Sequence, residues 1–541
     1  MNDKGNNEET LPQPEEKPQE EEEILSEDDN INPKYSKGNT SFLGAFLQIG
    51  NTILGAGIIS LPVVFRYLGF VLGFVFIAII SILTIYSSYL LLKAHQITSK
   101  NKYLTIAHAS MGDKGYIFTN MMIILNNFGL SCVYFRVVAD TLQNIIGGYV
   151  SKDNFFVTNW HNFIFILFIL IIMSFVIWTQ DFKKFEKTSF LGMAGIIIYF
   201  IVLIILFFYK ISKGFKPYHS LSSYFISGKF TDILISLPSV FLSFSFQFNL
   251  FPIYSGLINR THKEMLNVTK SSIIFCFVLY IFSGIIGFLI YGDSLNDTIL
   301  NAFLIEIQEE QNDDTVRVLL IIANIGFLVC ATTSIPLVYY SLKENFFSTY
   351  KFILKHKLKK KIKLQNEEEN NKIRNTTNTL EEENNIEEKE EKDDDNTINS
   401  DNNENNENND NNENNNNETY DQEAVRTDTF RSIDFKDENV KKVKVNITKN
   451  EEIIISILLY LIIGCVTILI PKLKSMFNIV GCTAANCIQF IIPCLMVLFL
   501  KKKAEKLINL LFAKILLWFG IFSLIICLIA EIVHNFIYDD N

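Results

Sequence analysis

The stretch IGNTILGAGIISLP, residues 49–62, places three glycines, an asparagine, a threonine and a proline inside an otherwise apolar run. Within a bilayer every backbone N–H and C=O needs a partner, so a helix break survives only where protein or a polar cavity supplies one. An unwound segment would present amides and carbonyls near the membrane midplane, with a half-helix dipole directed at the gap. Because glycines also permit close helix packing, this stretch alone leaves both interpretations open.

The rest of the chain segregates its apolar and charged residues. Of 541 residues 49% are hydrophobic and 20% are charged, with acids and asparagines concentrated in 1–35 and 365–450. The net charge of -10 belongs mainly to those segments and so does not indicate a nucleic-acid partner. Apolar runs of about 20 residues match the hydrocarbon core of a bilayer. We therefore expect a multi-pass membrane protein, without enzymatic activity or a cofactor.

The apolar runs predict eleven membrane spans. Lysine-rich connections such as TQDFKKFEK and FLKKKAEK place the N-terminus in the cytosol by the positive-inside rule, and an odd number of spans places the C-terminus on the opposite side. All eight cysteines fall in spans without a CxxC pair, so we interpret them as apolar filler. The predicted spans are 42–65, 67–93, 117–147, 161–179, 189–211, 232–256, 270–291, 316–342, 452–471, 479–500 and 512–535.

Four regions follow from this pattern. Residues 1–40 are predicted to be a disordered acidic cytoplasmic segment, and 41–350 hold the first eight spans. Residues 351–450, rich in Asn and Glu, are predicted to be a disordered cytoplasmic loop, because they are too polar to bury a core. Residues 451–541 hold the last three spans.

The sixth span favours the functional interpretation of the first. It carries Pro238 and Pro252, and between them Ser243, Ser245 and Gln247 lie in an aromatic run. Two interrupted spans that open two five-span halves are what an inverted repeat places face to face around a midplane site. This arrangement is typical of a transporter, whereas a channel would need a pore-lining ring.

The eighth span contains a further polar cluster in CATTSIPL. Thr332, Thr333 and Ser334 place three hydroxyls together, and with Asn51 across the interior they could hold a sodium ion. Serine and threonine also donate to carbonyls of their own helix, so an ion site and a local role both remain open.

One pair of opposite charges lies inside the third span. Arg136 and Asp140 are four residues apart on one helical face, and each would be costly at the bilayer centre if unpaired. We expect them to pair or to face an aqueous vestibule. A gating or proton-coupling role and a structural role both remain open.

Several motifs in order resemble the amino acid/auxin permease family, particularly its neutral amino acid transporter branch with eleven spans. NTILGAGIISLP is similar to that family's first-span motif, and FNLFPIYSGL at 248–257 resembles its sixth-span exit. YSSYLLLKAH at 86–95, YLTIAHASMGDKG at 103–115 and PKLKSMFNIVGCTAANCIQFIIP at 471–493 resemble further family segments. The resemblance covers roughly residues 40–350 and 450–535.

The resemblance implies an all-α membrane protein of the leucine-transporter type, with a five-plus-five inverted repeat and an eleventh helix. It implies that an amino acid substrate is bound by unwound segments of the first and sixth spans and that a cation sits between the first and eighth. The substrate set carried over is Asn51, Leu54, Gly55, Ala56, Gly57, Ile58, Ser243, Ser245 and Gln247. The sodium set is Asn51, Ile53, Thr332, Thr333 and Ser334. Gln247 and Phe248 stand where many relatives have cysteine and histidine, so selectivity cannot be transferred.

The function predicted from these features is secondary active amino acid transport by alternating access, driven by a proton or sodium gradient. A non-transporting amino acid sensor with the same pocket and a permease for other small organic solutes are the alternatives. We expect a monomer in the plasma membrane or a lysosome- or vacuole-like membrane.

Overall fold

The computed structural model describes residues 38–55, 57–150, 185–214, 230–309, 313–395, 449–470, 473–504 and 509–538. These residues are helical, apart from turns, connections and one isolated bridge between Thr40 and Leu257. The predicted fourth span and Ala56 lie outside the described residues. Two units are distinguished, one formed by 29–349 with 448–541 and the other by 1–28 with 350–447.

Helices suited to crossing a membrane account for the predicted spans. Within the described residues nine helices are long and apolar enough to cross a membrane, and Phe42–Leu54 is a shorter apolar helix. Each predicted span other than the fourth coincides with one of them or with a part of one. The main helices are Phe42–Leu54, Leu61–Thr98, Tyr103–Gly147, Phe185–Ser212, Phe230–Ser243, Leu250–Gly256, His262–Tyr291, Ile299–Glu309, Asp314–Asp395, Lys449–Leu469, Leu473–Val480, Ile492–Phe499 and Leu510–Tyr538.

Helix Leu61–Thr98 contains the end of the first span and the whole of the second. Gly69 interrupts it with φ 74° and ψ -178°, a left-handed conformation that costs glycine little. The break falls at the start of the second predicted span, 67–93, so the boundary between the two spans lies a few residues later than the sequence predicts.

Helix Asp314–Asp395 is longer than the sequence predicts. It contains the eighth span and continues through residues 351–395, where the sequence predicts disorder. Lys, Glu, Leu and Ile dominate the first part of this continuation, and these residues combine high helix propensity with favourable i,i+4 charge pairs. Low hydropathy therefore excluded a buried core but not a solvated helix.

Spans one, two, six and seven pack against one another. The seventh span, His262–Tyr291, contacts both helices of the first span and the second span, and Phe230–Ser243 of the sixth packs on Leu61–Thr98. At Gly284 an added Cβ would lie 2.3 Å from the ring of Phe65. Small residues thus let the seventh span approach the first closely, as is usual where helices associate in membranes.

Candidate functional site

The first span is interrupted within the quoted motif. Helix Phe42–Leu54 ends at Gly55, whose φ of 1° and ψ of -119° are not helical. The chain continues as a short 3₁₀ turn, Gly57–Ile59, before the next helix begins at Leu61. Leu54 and Ile58 are fully buried. The predicted interruption is present, and the backbone between the half-helices is freed from regular i→i−4 bonding.

The sixth span is interrupted at the corresponding place. Helix Phe230–Ser243 ends before residues 244–246, and a 3₁₀ turn at Gln247–Asn249 leads into Leu250–Gly256. Phe246 has φ -135° and ψ -3°, outside helical values. Pro238 lies inside the first half, which ends five residues later at Ser243, and Ser245 lies within the break.

The two interruptions contact each other. A Cβ added at Gly57 would lie 2.6 Å from the hydroxyl of Tyr280 and 2.8 Å from Oγ of Ser243. Ser243 Oγ donates to the carbonyl of Ser239 at 2.7 Å and lies 3.5 Å from the carbonyl of Gly57. Only glycine leaves room for this approach, so Gly57 is required by geometry rather than by helix packing.

Tyr280 of the seventh span, which no sequence pattern singles out, bridges the two breaks. Its fully buried hydroxyl contacts the carbonyl of Ile53 at 2.5 Å and that of Ser243 at 2.9 Å. Both carbonyls precede an interruption and so lack a regular helical donor. One hydroxyl proton serves one acceptor at a time, so Tyr280 holds both breaks through a shared donor.

A second tyrosine, which the sequence patterns also do not single out, approaches the first break from the third span. Tyr134 is buried, and its hydroxyl lies 2.1 Å from the point where a Cβ on Gly55 would stand. A buried tyrosine in a membrane span needs a polar partner for its hydroxyl, and this requirement is the signal that could have identified Tyr134 and Tyr280.

Three predicted binding residues carry buried polar atoms without a hydrogen-bond partner. These are Oδ1 of Asn51, Oγ of Ser245 and Nε2 of Gln247, on side chains no more than 2% exposed. Oε1 of Gln247 accepts from the backbone N–H of Phe246 at 3.0 Å. A buried polar group without a partner costs about 1–3 kcal/mol, so the position of these atoms beside the breaks calls for a functional explanation.

Asn51 and Thr333 face the same point beside Gly192 of the fifth span. A Cβ added at Gly192 would lie 2.6 Å from Oδ1 of Asn51 and 2.8 Å from Oγ1 of Thr333. Glycine therefore keeps open the space in front of both oxygens. Two neutral oxygens of this kind can contribute to the shell of a hard cation.

The hydroxyls of the eighth span also make local bonds. Thr332 donates to Leu328, Thr333 to Val329 and Ser334 to Cys330, at 2.7–2.8 Å. Successive residues of a helix point about 100° apart, so three adjacent hydroxyls cannot all face one ion. Thr333 is the one beside Asn51. The carbonyl of Ile53, a residue predicted for the ion site, accepts a hydrogen bond from Tyr280.

Clusters of metal-ligating side chains are the other kind of site to consider. Throughout the part of the chain that the structure describes, no group of three or more His, Cys, Asp or Glu side chains is arranged to hold a metal ion.

The predicted ion pair of the third span is present, with Nε of Arg136 3.0 Å from Oδ1 of Asp140. The partners offset each other's charge, as their burial in the span requires.

Comparisons with known proteins identify amino acid transporters as relatives of the chain. The chain is 23% identical over 319 residues to amino acid transporter AVT6E of Arabidopsis thaliana, a match covering 58% of this chain and 64% of that protein. It is 23% identical over 333 residues to sodium-coupled neutral amino acid symporter 2 of Danio rerio, covering 58% and 64% respectively. The chain thus spans just under two thirds of the length of these two relatives.

Among solved structures, the crystal structure of MhsT in complex with L-phenylalanine matches with a TM-score of 0.53 and 12% identity. The match covers 92% of this chain and all of that one. A similarity at this identity establishes the fold alone, which is all-helical and leucine-transporter-like. The family model described as transmembrane amino acid transporter protein matches residues 38–537. Because that match spans nearly the whole chain, the protein belongs to the transmembrane amino acid transporter family.

Proposed function

We propose that the protein is a secondary active amino acid transporter in which the interrupted first and sixth spans hold the substrate. The observation that carries this proposal is that the two breaks face each other and present Asn51, Ser245 and Gln247 with unpartnered buried polar atoms. An α-amino acid offers a carboxylate and an ammonium group, which complement freed N–H groups at one half-helix end and freed carbonyls at the other.

The substrate's carboxylate is assigned to the main chain from Leu54 to Ile58, because the second half of the first span begins there and a helix N-terminus favours an anion. Its ammonium group is assigned to the side-chain oxygens and freed carbonyls near Ser245 and Gln247. Phe244 and Phe246, both fully buried, lie in the sixth-span break and give it an apolar character. The names of the two relatives and the amino acid in the MhsT complex support an amino acid as the substrate.

The transport cycle is proposed to be alternating access driven by a sodium or proton gradient. Spans one, two, six and seven, which pack together, rock against spans three, four, eight and nine. Asn51 and Thr333 supply oxygens for sodium, an assignment supported by the sodium coupling named for the Danio rerio relative. Tyr280 keeps both breaks attached to the moving group. We further propose a monomer with a cytosolic N-terminus, in the plasma membrane or a lysosome- or vacuole-like membrane.

Uptake by the purified full chain in proteoliposomes tests this function. A mixed pool of labelled amino acids is offered while inward sodium and proton gradients are imposed separately. We expect accumulation of one or a few amino acids above the equilibrium level under at least one gradient, and loss of accumulation when that gradient is collapsed. Saturable binding without flux would indicate a sensor instead, and competition only by non-amino-acid solutes would indicate a permease of different specificity.

A further inference from the structure

The eleventh span contains a buried carboxylate outside the predicted site. Glu531 is 7% exposed in helix Leu510–Tyr538, and Nδ2 of Asn478 in the tenth span donates to its Oε2 at 2.8 Å. In the described part of the chain no ion pair includes Glu531. An ionisable side chain inside a membrane span is costly, so its retention without a cation points to a function.

Hydrogen bonds connect Glu531 to the sixth-span break. Oδ1 of Asn478 accepts from Oγ of Ser239 at 3.1 Å, and the carbonyl of Ser239 accepts from Oγ of Ser243 at 2.7 Å. Ser243 contacts Gly57 in the first-span break. The chain of contacts therefore runs from the eleventh span through the tenth and sixth to the candidate substrate site.

Close packing of the sixth and tenth spans fixes this connection. A Cβ added at Gly481 would lie 2.0 Å from the carbonyl oxygen of Pro238, a distance no side chain could accept. The tenth span therefore contacts the backbone of the sixth directly, within one helical turn of both Asn478 and Ser239. This contact holds the amide of Asn478 between Ser239 and Glu531.

We propose that Glu531 is the proton-binding site of the proposed transporter, and that Asn478 transmits its protonation to Ser239. This inference rests on the proposed transport function. An ionised carboxylate only accepts hydrogen bonds, so it takes the Nδ2 donor of Asn478 and leaves Oδ1 to Ser239. When a proton binds, one O–H bond forms and the carboxylic acid becomes a donor.

The amide then has to turn over, so that Oδ1 accepts from Glu531 and Nδ2 faces Ser239. The hydroxyl of Ser239 changes from donor to acceptor in the same step. Addition of one proton thus reverses both hydrogen bonds without a change in the packing of the spans. The change in hydrogen bonding at Ser239 therefore affects helix Phe230–Ser243, which ends at the proposed substrate site.

Ser239 also lines a small pocket between the first and sixth spans, together with Ser60, Tyr67, Ser236, Asp297 and Lys474. The side chain of Ser239 is buried, so its hydrogen bond to Asn478 is shielded from bulk solvent.

Few titratable groups share the surroundings of Glu531. The thiols of Cys482 and Cys527 lie close enough to interact electrostatically with its carboxylate. The remaining titratable and charged residues of the described elements packed on helix Leu510–Tyr538, and of that helix itself, are Asp232, Lys474, Cys487, Cys494, Lys514, His534 and Tyr538. The side chains of His534 and Tyr538 lie outside the described part of the structure. None of the described side chains forms an ion pair with Glu531 within 4 Å.

Proteoliposome uptake by Glu531→Gln and Glu531→Asp tests the proposal. Glutamine fixes a neutral side chain, so we expect complete loss of stimulation by an inward proton gradient, while exchange of internal for external amino acid continues. Aspartate keeps a titratable group and should restore part of the stimulation. Glu306→Gln is the matched control, since Glu306 is equally buried but paired with Lys210. Full stimulation in Glu531→Gln would overturn the proposal.

Infrared difference spectra between mildly basic and mildly acidic buffer provide a test that does not depend on flux. The wild type should show a protonated carboxyl band that is absent in Glu531→Gln and present in Glu306→Gln. A band unchanged in Glu531→Gln would overturn the proton site. If the wild type transports no amino acid but the band depends on Glu531, the transport function fails while the proton site stands.

Discussion

At the residue scale, the candidate site combines residues that a sequence motif predicts with residues that no motif predicts. Gly55, Gly57, Ser243 and Ser245 belong to motifs that the pattern of breaks singles out, and the structure places them at or beside the two interruptions. Tyr280 is equally important, because its hydroxyl contacts the carbonyl of Ile53 in the first span and that of Ser243 in the sixth. The site is thus closed by a residue outside both breaks.

Replacing Tyr280 with phenylalanine removes this shared donor. Two buried carbonyls then lose their partner, so Tyr280→Phe should lower the free energy of unfolding by about 1–3 kcal/mol and reduce transport. Thermal unfolding in detergent and uptake in proteoliposomes measure the two effects. Tyr199→Phe is the control, since the equally buried hydroxyl of Tyr199 contacts only the side chain of Ser283, at 3.0 Å, among its described contacts. Equal uptake by both variants would show that the bridge has no role in transport.

The sequence could identify the breaks because they depend on local composition. Tyrosine occurs 21 times in the chain, and nothing near position 134 or 280 distinguishes those two. Their importance comes from contacts with residues distant in the chain, 227 positions away for Tyr280 and Ile53 and 37 for Tyr280 and Ser243. The same is true of the bond between Asn478 and Glu531, which are 53 positions apart in the tenth and eleventh spans. Local patterns therefore predict where a helix ends but not which distant side chain replaces the lost hydrogen bond.

At the scale of elements, hydrogen bonds join the connection after the seventh span to the start of the tenth span. Asp297 accepts from the backbone N–H of Leu473 at 3.1 Å and of Lys474 at 2.6 Å, at the start of helix Leu473–Val480. A carboxylate at a helix N-terminus satisfies orphan donors and complements the helix dipole. Nζ of Lys474 in turn donates to the hydroxyl of Tyr67, so this cap joins three elements beside the pocket.

Loss of the helix cap that Asp297 provides should measurably lower the stability of the protein. Asp297→Ala leaves both N–H groups without their acceptor and should lower the free energy of unfolding by about 0.5–2 kcal/mol. Thermal unfolding in detergent checks this, with Asp293→Ala as the control, because Asp293 is exposed and lies 3.9 Å from Arg66. A larger effect of the control would contradict the role assigned to Asp297.

The same carboxylate should give a pH dependence. Burial raises the pKa of Asp297 above its usual range, although the two N–H groups and nearby cations oppose the shift. Because the folded state binds this proton more tightly than the unfolded state, the wild type should gain stability relative to Asp297→Asn as pH falls through the raised pKa. Unfolding measured across mildly acidic pH tests the sign, and a relative loss of stability on acidification would contradict it.

At the scale of the whole molecule, the apolar runs predicted every span that the described residues contain, and the family motifs implied the leucine-transporter-like fold. Length and hydropathy suffice for this because a bilayer permits few architectures. The helix that continues to Asp395 was not predicted, since hydropathy reports burial and not local helix propensity. The position of Thr333 beside Asn51 was also beyond the sequence, because it depends on which of three adjacent hydroxyls faces the first span.

The central claim is that the substrate is held where the first and sixth spans are unwound against each other. Uptake by Gly57→Val tests it most directly, since a side chain there would displace Tyr280 and Ser243 from contact distances of 2.6–2.8 Å. Gly147→Val is the control, because a Cβ at Gly147 would meet only the flexible side chains of Leu304 at 3.2 Å and Gln308 at 3.9 Å. With equal amounts of folded protein, we predict loss of amino acid uptake for Gly57→Val and retention for Gly147→Val. Wild-type uptake kinetics for Gly57→Val would contradict the claim.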